Sequence, residues 1–258
     1  MKLIDSRAIV DPSAKLADDV EVGPWSFIGA DVEIGAGTVI GPHVVIKGPT
    51  TIGRNNRIFQ FSSVGEECQD KKYAGEPTTL VIGDNNVIRE GVTIHRGTVQ
   101  DSGTTIIGSD NLFMANVHVA HDCIVGDHVI MANNTAIAGH VHVGDWAILG
   151  GFTAVHQFCK IGPHVMCGTC SVVLKDIPAY VMANGNTAEP HGINTEGLKR
   201  RGFSADAIQA LKRAYKVIYR QNNTLTQALD QLADLVADTP ELAPLIHSLE
   251  TSTRGIIR

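Results

Sequence analysis

Large rings are scarce in this chain: phenylalanine, tyrosine and tryptophan make up 5% of its 258 residues, although 43% of the residues are apolar. An interior filled mainly by small and branched aliphatic side chains suits a narrow core rather than a broad one. No apolar run reaches membrane-spanning length, which excludes a transmembrane helix. No charged-then-apolar leader is present either, and the expected location is the cytoplasm. Basic charge is not in excess. The formal net charge is −6, which argues against a nucleic-acid binder, whose footprint is a basic face. What remains is the composition of a soluble globular protein of one or two domains.

What is present is a period of six. An apolar spine runs through Val10, Leu16, Val22, Ile28, Ile34, Ile40, Ile46, Ile52, Ile58 and Val64, then Ile82, Ile88 and Ile94. After a one-residue shift it continues from Ile107 through Phe113, Val119, Val125, Met131, Ile137, Val143, Leu149, Val155 and Ile161 to Cys167 and Val173. Neither a helix nor a flat strand has this period. It predicts a parallel β-helix in which each hexad forms one side of a coil. Coils of about eighteen residues would stack at roughly the strand spacing of 4.8 Å, and each buried aliphatic residue would contribute about 1.5–3 kcal/mol. Asn56, Asn86 and Asn111, each four residues after a spine position, suit inward stacking on neighbouring coils.

Five cysteines raise a different possibility, because Cys167-Gly-Thr-Cys170 has the spacing of a redox or metal pair. The repeat offers a plainer account: Cys167 lies on the spine, and Cys123 and Cys159 take the small position four residues after it. No second such pair completes a zinc site, and no metal is expected.

Two stretches interrupt the coils. Residues 66–79 are polar and leave the phase of the spine intact, as a loop thrown out from one corner would, and such loops commonly carry function. Residues 100–105 shift the phase by one and read as a smaller loop or bulge. Beyond about Pro190 the period becomes helical, giving a domain boundary between residues 1–190 and 191–258. Ser204 can cap a helix with Ile208, Leu211, Tyr215, Ile218 and Tyr219 on one face, Thr224 can open a second, and a third can follow Pro240. Lys199, Arg200, Arg201, Lys212, Arg213, Lys216 and Arg220 form a basic cluster that is either a solvated face or a receptor for phosphates or an acidic partner protein.

Histidines crowd the middle coils at positions 95, 118, 121, 140, 142 and 156. Residues about eighteen apart share a site on successive coils, so His121, Gly139 and Gln157 align on one corner, with Asp122 and His140 beside them. An imidazole oriented by a carboxylate is a good general base near neutral pH, and an uncovered glycine amide one coil away can stabilise an oxyanion.

The non-repeat segments QDKKYAGEPT, IREGVTIHRGTVQ, HVAHDCIVGDH, AVHQFCKIG, NTEGLKRRGFS and STRGIIR closely resemble the UDP-N-acetylglucosamine 3-O-acyltransferase family of hexapeptide-repeat proteins, over essentially the whole chain. The resemblance implies a mainly β fold, a left-handed parallel β-helix with a C-terminal α-helical domain, assembled as a homotrimer with active sites between subunits. It implies transfer of an (R)-3-hydroxyacyl group from acyl carrier protein to UDP-N-acetylglucosamine, the first step of lipid A synthesis, with no cofactor. Residue by residue, it implies His121 as general base, Asp122 as its partner and the Gly139 amide as oxyanion donor. Gln69, Asp70 and Lys72 match sugar-nucleotide contacts, while His118, His140 and Gln157, with His95 and His156, match residues lining the site. Asn194, Glu196, Arg200 and Arg201 match residues that hold the nucleotide and its phosphates. Thr169 stands where relatives that accept longer chains have glycine, so it either shortens the preferred acyl chain as a ruler or is simply a corner residue.

Three rivals use the same coils. A related N-acyltransferase would carry a uridine-binding domain ahead of the repeats, which here begin near residue 10. A carbonic-anhydrase-like trimer would bind zinc through histidines such as His118 and His121. A non-catalytic scaffold leaves the His121–Asp122 pair, the polar loop and the basic cluster unexplained.

Overall fold

The computed structural model describes residues 4–236 and 239–258. Short parallel strands from Ile9–Val10 to Val172–Val173 wind into a three-sided prism. Its sides are sheets of nine, eight and ten strands, in which each strand of the coils pairs with the third one along the chain, up to strand Met166–Cys167 in the ten-stranded sheet. Every spine residue is the second or the last residue of its strand. From Val22 onward those side chains are at most 4% exposed and form one continuous core. The period of six is therefore the length of one side plus one corner.

Polar residues are also built into the interior. The Asn86 amide N–H donates to Asn56 Oδ1 at 2.9 Å, and the Asn111 N–H donates to Asn86 Oδ1 at 3.0 Å. Asn86 Nδ2 donates in turn to the Gly108 carbonyl at 2.9 Å. A buried amide side chain thus satisfies the backbone at a corner where the sheet ladder is interrupted. Ser26 and Thr38 do the same with a hydroxyl, accepting from the N–H groups of Val44 and Asn56.

Corner residues repeatedly adopt left-handed backbone conformations without being glycine, among them Asp122, His140 and Phe158 at φ of +56°, +62° and +65°. Both excursions leave the prism at this same edge. The first lies between strands Ser63–Glu66 and Thr79–Ile82, the second between Thr93–His95 and Thr104–Ile107. Contacts between adjacent coils normally join residues 18 apart, but residues 30 apart across the first excursion and 25 apart across the second. The first adds a whole number of hexads and keeps the phase; the second does not, which accounts for the one-residue shift.

After the coils, strands Val181–Asn184 and Glu189–Ile193 form an antiparallel hairpin on the end of one sheet, an element the hexad pattern did not announce. Among the described residues four helices follow: α1 (Thr195–Arg200), α2 (Ala205–Tyr219), α3 (Leu225–Val236) and α4 (Ala243–Glu250), the last preceded by a 3-10 turn at Pro240–Leu242. Ser204 caps α2 by accepting from the Ala207 N–H. Thr224 opens α3 with a reciprocal exchange with Gln227. The short α1 was not anticipated; Asn194 caps it by accepting from Gly197 N–H while its own amide holds the His164 carbonyl. Ile208, Leu211 and Ile218 of α2 pack with Leu232 of α3 and Leu245 and Leu249 of α4 in a second core.

All five cysteines are free thiols, four buried and Cys170 exposed. Burial pushes the Cys123 and Cys167 thiols up to about 12 and the Cys159 thiol up to about 11, the behaviour of structural side chains.

Candidate active site

The edge that carries both excursions also carries the histidine corner. His121 Nδ1 lies 2.8 Å from Asp122 Oδ2, and the Asp122 side chain is fully buried. Burial opposes the charged carboxylate, but hydrogen bonds from His121 and Thr98 outweigh it and hold the Asp122 carboxyl below the usual carboxylate range. The Asp122 N–H is fixed by the Thr105 hydroxyl at 2.8 Å, which secures its left-handed backbone.

One coil further along, Gly139 lies directly under the imidazole. A Cβ placed there would come within 2.6 Å of His121 Nε2 and 2.5 Å of Cε1, so any side chain would displace the ring. Gly139 is buried beneath that ring rather than open to solvent. Its carbonyl accepts from the Phe158 N–H, whereas its own N–H has no partner among the described residues. The His140 ring stacks on Phe158 with centroids 4.3 Å apart and stands edge-on to His121 at 5.0 Å. His121, Asp122 and His140 offer ligand atoms within 4.8 Å of one another. Asp122 already accepts from Thr98 and His121, and His140 is engaged with Asp101, so these groups form an internal hydrogen-bond network.

A trough of about 480 Å³ runs along one sheet from this corner. Ala120, Ala136, Ala138 and Ala154 give it a low floor, and Gln69, Asp70, His95, His118, His121, Gly139 and Gln157 stand around it. The small floor residues leave room for an alkyl chain above the sheet. Lys72, His156 and Thr169 are exposed, with Thr169 at the turn leading to strand Val172–Val173.

Sequence reasoning passed over Arg96, a buried cation that anchors the polar loop. Its guanidinium donates to the carbonyls of Gly48 and Gly65 and to the Tyr73 hydroxyl, while its N–H donates to the Glu66 carbonyl. Thr98 was passed over too. The only available sign was that both follow His95 in a stretch that breaks the hexad.

The C-terminal candidates are not among the residues lining the trough of a single chain. Glu196 and Arg200 are exposed. Arg201 lies over Trp146 at 5.1 Å and donates to the Trp146 carbonyl, so it joins the helices to the prism. Lys212, Arg213, Lys216 and Arg220 line a separate cavity of about 390 Å³ with His191 and Tyr215.

Two imidazoles, the buried His95 and the half-buried His164, are held neutral. Burial, reinforced by His118, pushes His95 from the ordinary value of 6.5 down to about 4, and burial with Arg201 nearby does the same to His164. In the unfolded chain both regain the ordinary value and bind a proton that the fold refuses. Stability should therefore fall as pH drops from about 6.5 towards 4. Thermal melts between pH 7.5 and 5 should show a falling Tm, with a shallower slope in His95→Gln; a flat profile in the parent would contradict the assignment.

Residues 176–257 match the family model described as UDP N-acetylglucosamine O-acyltransferase, domain 2, and residues 104–139 match the bacterial transferase hexapeptide model. An acyl-acyl-carrier-protein:UDP-N-acetylglucosamine O-acyltransferase of Pseudomonas aeruginosa is 63% identical over 258 residues, covering 100% of both chains. Among solved structures, LpxA from Acinetobacter baumannii is 57% identical with a TM-score of 0.98, covering 99% of this chain and 100% of that one. The UDP-N-acetylglucosamine O-acyltransferase of Moraxella catarrhalis is 51% identical, with a TM-score of 0.98 over 99% of this chain and 100% of its own. The prism is accordingly a left-handed parallel β-helix with a small C-terminal helical part. Because such likeness runs through the coils, both excursions and the helices alike, the chain belongs to the UDP-N-acetylglucosamine O-acyltransferase family of hexapeptide-repeat enzymes.

Proposed function

We propose that this enzyme transfers an (R)-3-hydroxyacyl group from acyl carrier protein to the 3-hydroxyl of UDP-N-acetylglucosamine, the first step of lipid A biosynthesis, with His121 as general base. The observation that carries the reading is the His121–Asp122 pair lying over Gly139, whose N–H has no partner among the described residues, at the head of an alanine-floored trough. With Nδ1–H donated to Asp122, His121 Nε2 keeps a lone pair for the sugar hydroxyl. As that oxygen adds to the thioester carbonyl, its proton passes to Nε2. Negative charge grows on the carbonyl oxygen, and the Gly139 N–H meets it. Collapse of the tetrahedral intermediate expels the carrier thiolate, which takes the proton back from His121. Direct transfer of this kind forms no covalent enzyme intermediate.

Around this centre, Gln69, Asp70 and Lys72 contact the sugar nucleotide from the polar loop, and His95, His118, His140, His156 and Gln157 shape the cleft. We assign the working form as a homotrimer in the cytoplasm, where the carrier-bound donor is made. Glu196 and Arg200 are exposed, and Arg200 can reach the nucleotide phosphates from a neighbouring subunit. Asn194 and Arg201, whose polar atoms are engaged within the chain, support that surface. The basic cavity on α2 suits the acidic surface of a carrier protein.

Thr169 sets the far limit of the acyl chain. Parent enzyme given a panel of 3-hydroxyacyl carrier proteins should prefer somewhat shortened donors. Thr169→Gly should move the optimum to longer ones, with roughly 5- to 150-fold changes in relative kcat/KM at about 1–3 kcal/mol per methylene. Absence of transfer with every donor would overturn the reaction, and an unchanged donor profile in the variant would overturn the ruler alone.

A further inference from the structure

The second excursion, residues 96–103, reaches the Asp122 carboxylate through Thr98 and the His140 imidazole through its own Asp101. Thr98 is 1% exposed, and its N–H forks to both Asp122 oxygens at 2.9 and 3.0 Å. Its hydroxyl donates to Asp122 Oδ2 at 2.6 Å. That oxygen is the one His121 Nδ1 addresses at 2.8 Å, so Thr98 fixes the acceptor that orients the base. Three residues later, Asp101 Oδ2 lies 2.7 Å from His140 Nδ1. His140 Nδ1 is also 4.0 Å from Asp122 Oδ2, one modest ring movement from a hydrogen bond. His140 turning onto that oxygen would compete with His121 for an acceptor that Thr98 already shares.

We propose that this excursion is a brace that assigns each imidazole its own carboxylate, with Thr98 a positioning residue for Asp122 and Asp101 a positioning residue that keeps His140 away from it. The proposal rests on the reading of His121 as general base. It gives the insertion a function, since a strict hexad at this corner has no residues to spare for reaching the next two coils. The excursion also clasps the polar loop at both ends, through Arg96 N–H to the Glu66 carbonyl and Gly97 N–H to the Thr79 carbonyl, so the brace is itself held. Asp122 keeps a backbone donor in any Thr98 variant, and a loss on removing the hydroxyl therefore reports on orientation rather than on an abandoned charge.

The test compares Thr98→Val with Thr98→Ser, and Asp101→Ala with Asp101→Asn, beside His121→Ala in the full-length enzyme. Thr98→Val is isosteric and should lower kcat about tenfold, the scale of one hydrogen bond to a charged group, with KM for the sugar nucleotide within about twofold. Thr98→Ser restores the hydroxyl and should return kcat to near the parent. Asp101→Ala should lower kcat roughly threefold to tenfold as His140 turns towards Asp122, and Asp101→Asn, which keeps an acceptor, should recover it. Thermal melts near the parent value confirm folded protein, and the serine and asparagine variants carry the test if an apolar variant fails to fold. Parent kcat in Thr98→Val, or serine no better than valine, overturns the Thr98 arm; the same pattern at Asp101 overturns the second. An active His121→Ala enzyme overturns the base assignment instead, so the two failures are distinguishable.

Discussion

Replacing His121 with alanine is expected to lower kcat by about 10²–10⁴-fold, the usual contribution of a positioned general base. The size of the loss follows from how completely the ring is committed. One nitrogen is tied to a fully buried carboxylate, and its face covers the backbone of Gly139, which has no side chain. Removing the ring leaves the Gly139 N–H in place, so residual transfer should remain above the uncatalysed rate. The measurement is steady-state transfer to UDP-N-acetylglucosamine, with KM for both substrates. A variant that keeps a tenth or more of the parent kcat would mean the proton leaves by another route. Asp122 keeps its bonds from Thr98, which should hold the fold together without the imidazole.

The second large effect is on stability. Asn86→Ala should cost about 2–5 kcal/mol, because it strands two groups at once: the buried Asn111 N–H loses its acceptor and the half-buried Gly108 carbonyl loses its donor. A vacancy left by the shorter side chain adds to this. Coils touch only their neighbours, so the damage should be local before it is global. Urea unfolding followed by hydrogen exchange should show early exchange at Asn111, with amides of the distant coils still protected. Unchanged stability would mean that water replaces the side chain at little cost.

Much of the prism is legible in the sequence because one side-chain property repeats at one spacing. Ile28, Ile46 and Val64 need no tertiary information to be placed, since nothing but burial explains an aliphatic residue at every sixth position. Stacking arithmetic also places His121 next to Gly139 and Asp122 next to His140, and the ring contacts follow from those alignments. What the period cannot reach is whatever departs from it. Thr98 and Asp101 lie in the stretch that breaks the hexad, and their partners are fixed by the path of the excursion rather than by a repeat. The hairpin at Val181–Asn184 and Glu189–Ile193 is similar: it is antiparallel, with a shifted register and a proline in its second strand. Asn194 illustrates a different limit. Its residue type suits a ligand contact and a helix cap equally, and only coordinates reveal that its side-chain atoms serve the cap and a neighbouring carbonyl.

Both excursions and the histidine corner lie along one edge of the prism, while the strand ladders of all three sheets continue past them. Chain can be lengthened, shortened or exchanged along that seam without asking the other two edges to change register. Such a molecule can explore new substrates the way a rack accepts new fittings: mutations and insertions alter one line of attachment points, and the frame that sets their spacing is inherited intact.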